Sequence, residues 1–219
     1  MFSRLANAVV PVFAGLTVTT AAGAAPAPAP GSIVAANHTS LADPAVVLAA
    51  LHRLGVAPVV LATAGLWRIP VLGSALTREE HIPVHRNTQR AGEALDGAAA
   101  ALAAGRIVLI YGEGRLPRRG DAAEAAPGDF RSGLARLARE SGAPVVPLGQ
   151  AGARRLSSGS TSKQIAGVLT APLRRPAVHV HLGTPIHLTG DTAAATAQAR
   201  AAVTAAWRTA AQRLDGSRA

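Results

Sequence analysis

Short apolar runs and longer amphipathic stretches take turns along the chain. Ser32–Ala36, Pro58–Ala62, Ile107–Tyr111, Pro144–Leu148 and Ala177–Leu182 are apolar runs bounded by Gly, Pro or polar residues, and they predict buried strands. His81–His85 alternates and predicts one more. Between them the period turns helical. Asp43-Pro44 marks a helix start, with Asp at the N-cap and Pro at the first helical position, and the helix should run to about Arg53, where Gly55 can end it. Ala91–Ala104 reads as an Ala-rich helix closed by Gly105, Phe130–Ser141 as an amphipathic one, and Asp191 to about Arg213 as a C-terminal one. Leu66–Leu76 is a hydrophobic connection of no clear period. Gly112–Asp129 is a Gly-, Pro- and Arg-rich loop too long for a plain connector, and Ala151–Arg175 is polar with no assignable element. Strands alternating with helices predict an α/β fold: a single layered domain with a largely parallel central sheet flanked by helices.

The N-terminus admits two readings. Arg4, the apolar run Leu5–Leu16 and the Ala-Gly-Ala-Ala segment after it imitate a secretory signal. In the other reading Leu5–Ala14 is a short apolar helix, Gly15–Thr20 an edge strand and Ala24–Pro30 a stiff Ala-Pro loop. Asn7, Pro11 and several threonines interrupt the run too often for a convincing transmembrane helix. The chain then divides into an N-terminal membrane-proximal or docking segment (1–30), the body of the domain (31–190) and a C-terminal helix packed on it (191–219).

Composition narrows the partners. With 219 residues, 49% of them hydrophobic and only 3% aromatic, one core built from Ala, Val, Leu and Ile is expected. A formal charge of +10 attracts polyanions: nucleic acid, anionic lipid headgroups or phosphorylated substrates. Nucleic-acid binding usually brings aromatic stacking platforms or a known motif, and neither is present, so lipid and phosphate are the expected partners. The absence of cysteine excludes a disulfide framework, a thiolate metal site and a cysteine nucleophile.

Four segments can carry a site. Asn37-His38-Thr39-Ser40-Leu41-Ala42-Asp43 lies where a strand gives way to a helix, the usual place for sites in α/β sheets. Histidine is the natural general base near neutral pH, and a carboxylate five residues on can bond the other ring nitrogen and fix the tautomer. The plainer reading makes Asp43 a helix cap and His38 an ordinary loop residue. Ser40 lacks the Gly-x-Ser-x-Gly elbow expected of a serine nucleophile. Arg86, just after the His81–His85 strand, can offer a bidentate fork to phosphate or can simply be solvated, and His81 and His85 make no convincing metal pair. In Tyr111-Gly112-Glu113-Gly114-Arg115 the glycines allow close approach of a ligand; Glu113 can bond a glycerol hydroxyl or brace an arginine, and Arg115, with Arg118 and Arg119 behind it, can meet phosphate. Ala143–Leu148 carries no reactive group and reads as a core strand.

Taken in order, these segments resemble the four blocks of the glycerolipid acyltransferase family, whose typical members are 1-acylglycerol-3-phosphate acyltransferases. The first block, a histidine, four residues and an aspartate, is matched by His38 and Asp43. The second ends in an arginine, matched by Arg86; the third centres on Glu113 and Gly114; the fourth surrounds Pro147. Gly65–Gly73, Phe130-Arg131-Ser132-Gly133 and the late Val178–Ile186 segment are similar as well, so the resemblance spans Ser32 to Leu188. One departure stands out. Where the third block typically reads Phe-Pro-Glu-Gly-Thr-Arg, this chain has Tyr111-Gly112-Glu113-Gly114-Arg115-Leu116, with the arginine one place forward.

The resemblance implies a glycerol-3-phosphate acyltransferase-like fold and an enzyme that moves a fatty acyl group from acyl-CoA or acyl-carrier protein to the free hydroxyl of lysophosphatidic acid or a related lysolipid. It implies His38 and Asp43 as catalytic residues and Arg86, Glu113, Gly114 and Arg115 as substrate-binding residues. No metal or organic cofactor is expected, because the thioester is already activated. An anionic membrane surface is the expected partner and its cytoplasmic face the expected place. A lipid ester hydrolase and a non-catalytic phospholipid-binding module are the alternatives.

Overall fold

The computed structural model describes residues 1–25, 27–85, 92–116 and 123–216. Seven strands form one sheet: β1 (Gly15–Thr20), β2 (Ile33–Ala36), β3 (Val59–Thr63), β4 (Ile82–Val84), β5 (Val108–Tyr111), β6 (Val145–Ala151) and β7 (Ala177–Leu182). Their spatial order is β1-β7-β6-β2-β5-β3-β4. Every pairing is parallel except β6 with β7, so the expected largely parallel sheet is what the chain forms.

Among the described residues seven α-helices cover the sheet: α1 (Phe2–Phe13), α2 (Asp43–Arg53), α3 (Pro70–Arg78), α4 (Glu93–Ala103), α5 (Gly133–Ser141), α6 (Thr161–Arg174) and α7 (Thr192–Gly216). On β2 the side chains alternate between two cores. Val34 and Ala36 join the cluster under α1, α2 and α6, whereas Ile33 and Ala35 join the one under α4, α5 and α7. A strand buried on both faces reads as a continuous apolar run, which is why Ile33–Ala36 carries no polar position.

The scarcity of aromatic residues is answered by close packing of backbones. The inner stripe of α7 is Ala195, Ala199, Val203, Ala206, Ala210 and Leu214, at helical spacing and small. It meets β6 at Gly149, where a Cβ would collide with the backbone of Ala206 and Trp207. Only glycine allows that approach.

Three local expectations are revised. Asp43 is the first residue of α2, and Ala42 occupies the N-cap with no side-chain capping bond, because the Asp43 carboxylate is engaged with the loop before the helix. Leu66–Leu76 resolves into a 3-10 turn (Ala64–Arg68) and α3, which starts at Pro70, a residue already set for the first helical turn. The polar stretch Ala151–Arg175 contains α6, whose large apolar residues do not face the core and so gave no amphipathic signal directed inward. At the N-terminus, Phe2–Phe13 is helical against α2 and Gly15–Thr20 is the edge strand.

Candidate active site

The end of β2 is where the sheet opens. Asn37 follows Ala36 and takes over from the ladder. Its Nδ2 donates to the Gln150 carbonyl at 3.0 Å, and its Oδ1 accepts from the Gln150 amide at 2.8 Å. The chain then leaves the sheet as a loop that carries His38 and returns at Asp43.

Asp43 organises that loop. One carboxylate oxygen, Oδ2, accepts from the amides of Thr39 and Ser40, the latter at 2.9 Å, and lies 2.9 Å from His38 Nδ1. The carboxylate is fully buried while the imidazole keeps a small opening to solvent. An ionised carboxylate only accepts, so the proton in the ring contact is on Nδ1, leaving the Nε2 lone pair for an incoming proton. Tyr111, from the end of β5, lies against the ring with centroids 4.4 Å apart. Burial, with the Asp43 charge second, pushes the Tyr111 phenol well above its ordinary value, so it stays neutral at physiological pH.

Glu113 supports the loop from below. Its Oε1 accepts the His38 amide at 3.1 Å, and the carboxylate also takes the amide of Gly128. Burial raises its pKa, partly countered by those two amides. Glu113 therefore braces the His38 loop itself, a contact that residue order alone does not suggest. The side chain also lines a cavity of about 870 Å³ together with Arg115, Leu116, Gly128, Asp129, Phe130 and Arg131.

The glycines of the third segment have separate reasons. At Gly112 a Cβ would collide with the Phe130 ring, so glycine lets that ring close the cavity floor. Gly114 has φ +67°, a left-handed conformation that turns the chain and brings Arg115 to the cavity. Arg131 also lines the cavity, its stem packed over Gly114. It was not singled out as a ligand residue from the sequence; the Phe130-Arg131-Ser132-Gly133 match was the available signal. Arg86, Arg118 and Arg119 lie outside the described residues.

More contacts fasten the loop from the β6 side. Gln150 Nε2 donates to Thr39 Oγ1 at 3.1 Å, and the buried Arg154 donates through Nη1 to the Thr39 carbonyl at 3.1 Å. Glu124 Oε1 accepts the Gly152 amide at 2.8 Å, next to Arg154 and Arg155, with its pKa raised by burial. Ser40 Oγ donates to the Ser157 carbonyl at 2.7 Å, so its hydroxyl is committed to the scaffold and is not paired with His38. Among the described residues no three His, Asp or Glu side chains come together as a metal site.

The arrangement can take a proton at a held imidazole, next to a cavity that presents two guanidinium groups. Residues 19–150, more than half of the chain, match the family model described as Acyltransferase. No curated protein matches the chain. In fold it is similar to the crystal structure of the 1-acyl-sn-glycerophosphate (LPA) acyltransferase PlsC from Thermotoga maritima, with a TM-score of 0.70 and 18% identity over 96% of this chain and 77% of that one. The matched segment includes His38, Asp43 and Glu113, and on that match the chain belongs to the acyltransferase family.

Proposed function

We propose that the protein transfers a fatty acyl group from acyl-CoA or acyl-carrier protein to the free hydroxyl of lysophosphatidic acid or a related lysolipid. His38 Nε2 removes the hydroxyl proton as the oxygen attacks the thioester carbonyl. The tetrahedral adduct collapses with cleavage of the carbon–sulfur bond, and the imidazolium returns its proton to the departing thiolate. Asp43 holds the ring and stabilises its charge, and general-base assistance by the imidazole contributes about 10²–10⁴-fold. Arg115 and Arg131 hold the acceptor phosphate in the 870 Å³ cavity, and Arg86 is a third candidate from the sequence. The reaction needs no metal or organic cofactor, since the thioester supplies the driving force.

The observation that carries this reading is the His38–Asp43 pair held by two backbone amides beside a cavity lined by arginines. The committed Ser40 hydroxyl argues against ester hydrolysis through a serine nucleophile. The expected place of action is the cytoplasmic face of a membrane, where both donors are found. Its basic charge would hold it on the anionic leaflet, with Phe2–Leu16 as a shallow anchor.

The deciding experiment is transfer of labelled palmitoyl or oleoyl groups from acyl-CoA to lysophosphatidic acid in detergent micelles, run beside acceptor-free and dephosphorylated-acceptor controls. Labelled phosphatidic acid is the expected product. Free fatty acid formed at the same rate without acceptor would make the protein a hydrolase.

A further inference from the structure

Helix α6 turns its apolar side outward. It is held to the protein by a narrow strip on which Ala171 is buried and Gln164 and Gly167 are half-buried. At Gly167 an added Cβ would come within 2.7 Å of the Leu156 carbonyl oxygen, so the contact is backbone-close and leaves little apolar area covered. Ile165, Val168, Leu169 and Leu173 form a stripe on the other side; Leu169 is 73% and Leu173 92% exposed. An isolated fourteen-residue helix is marginal in water, and this one spends its large hydrophobes on solvent.

The stripe has a neighbour. α1 packs beside α6, the two being tied where Arg175 Nη2 donates to the Pro11 carbonyl at 3.0 Å. α1 adds Leu5, Val9 and Val12, all exposed and at helical spacing. Exposed apolar stripes on two helices packed side by side are the kind of surface that marks a docking site.

Charge identifies the occupant. The chain has 12 acidic residues, yet none falls within 1–42 or 141–190, the two stretches that supply α1 and α6. The same stretches place exposed Arg4, Lys163, Arg174 and Arg175 on or next to the two helices. An apolar centre with a cationic rim, whose own two helices carry no carboxylate and whose near acidic group, Glu79, is paired with the α1 N-terminus, suits an anionic lipid surface, into which the leucines can enter while the cations stay with the phosphates. None of the described helices is long and apolar enough to cross a membrane, so the helices would lie in the interface.

We propose that α6, with the exposed stripe of α1 beside it, is the face on which the protein lies on an anionic bilayer, with Leu169 and Leu173 entering the acyl region. This goes beyond an N-terminal anchor, because the dominant hydrophobes are on α6. It also sets the active site. Ser157, three residues before the Ser160 that caps α6, accepts from Ser40 in the His38 loop at 2.7 Å, and Leu41 next to it is exposed. Seating α6 on lipid brings the His38 loop toward the surface from which a lysolipid is drawn; that benefit rests on the proposed reaction, while the docking itself does not.

The test is co-sedimentation of the whole chain with vesicles of phosphatidylcholine and phosphatidylglycerol, and with pure phosphatidylcholine. Leu169→Asp/Leu173→Asp is compared with Ala197→Asp/Ala201→Asp, which adds the same charge at exposed positions of α7 on the opposite side of the sheet. All four substitutions replace exposed side chains, and matched thermal melts check that the fold is kept. The expected result is binding of wild type to the anionic vesicles, a loss of at least about tenfold in the α6 variant, and a much smaller loss in the α7 variant. Equal losses in both variants would reduce the effect to net charge, and wild-type-like binding by the α6 variant would remove the face; either overturns the proposal. So would a concentration-dependent dimer dissolved by the α6 variant with vesicle binding unchanged, since the occupant would then be a second copy. Acyl transfer in detergent micelles, read on the same preparations, reports on the reaction separately: no transfer with intact vesicle binding overturns the reaction and leaves the docking face standing.

Discussion

Two histidine sites of the protein, one just after β2 and one on β7, are built in opposite ways. His38 follows β2 and faces a carboxylate: Asp43 accepts from its Nδ1 and is itself fixed by two backbone amides. His179 and His181, on β7, face no carboxylate among the described residues. They share one hydroxyl, Thr19 Oγ1, at 3.0 Å from His179 Nε2 and 2.9 Å from His181 Nδ1, with Arg213 of α7 nearby. Burial, then Arg213 and His181, push the His179 pKa down to about 4. Burial and Arg213 lower that of His181 as well. The first environment sets a carboxylate against the ring, and the second disfavours a charged ring by burial and a nearby cation. A histidine becomes a base through what stabilises its charged form, and burial alone works against it.

The sharpest way to break this contrast is His38→Ala. Transfer activity in micelles should fall on the order of 10²–10⁴-fold, while the melting curve changes little, because the ring keeps an opening to solvent and belongs to neither apolar core. Full activity in purified variant would remove His38 from the mechanism. Asp43→Asn comes next. The side-chain oxygen can still accept both backbone amides, but the charge that stabilises an imidazolium during the reaction is gone, and the activity loss should be on the order of 10²-fold. Asp43→Ala differs in kind. It strands the Thr39 and Ser40 amides, so stability should drop by roughly 1–3 kcal/mol in denaturant titration in addition to the activity loss. Equal stability of the Asn and Ala variants would mean the amides do not depend on this carboxylate.

A smaller effect separates phosphate recognition from the proton transfer. Arg115→Ala and Arg131→Ala each remove one guanidinium from the cavity. Each should raise KM for a phosphorylated acceptor by about tenfold, the scale of one charge-assisted hydrogen bond, with kcat and the KM for a neutral acceptor little changed. An equal rise for both acceptors would assign the cavity to something other than phosphate.

The contrast between the two histidine sites was half legible in the sequence. The spacing from His38 to Asp43, at a strand-to-helix junction, was enough to bring out the pair. The parallel sheet followed from apolar runs alternating with helical stretches. The His179–His181–Thr19 cluster was hidden because its members are 160 residues apart in sequence, and only the β1–β7 pairing brings them together. The same applies to Glu113, whose bond to the His38 amide spans 75 residues and depends on β2 and β5 being neighbours. Helix α6 was missed for another reason: its covered strip is Gln164, Gly167, Ala171 and Pro172, too small and polar to register as an inward-facing stripe. What a sequence shows best is chemistry between near neighbours and the burial of large apolar residues. Contacts made by adjacent strands, and helices held by small residues, require the fold.

The mildest test acts on stability and not on turnover. The His179 pKa is about 4 in the folded chain against an ordinary value of 6.5. Above the higher value the imidazole is neutral in both states and makes no difference. As pH falls below it, the unfolded chain takes up the proton first, so the folded state loses stability until the folded pKa is reached. Wild type should therefore weaken between about pH 6.5 and 4 more steeply than His179→Gln, by on the order of 1 kcal/mol once partial solvent screening is allowed for. The measurement is a urea midpoint at pH 7 and again at pH 4.5 for both proteins, with transfer activity at pH 7 unchanged. Carboxylates titrate over the same range in each protein, so the difference between them isolates the histidine. Parallel losses would mean that His179 is accommodated when charged, and the opposition between the two histidine sites would no longer hold. A lost activity at pH 7 would move this cluster from the scaffold into the catalytic machinery, since nothing about its titration reaches that pH.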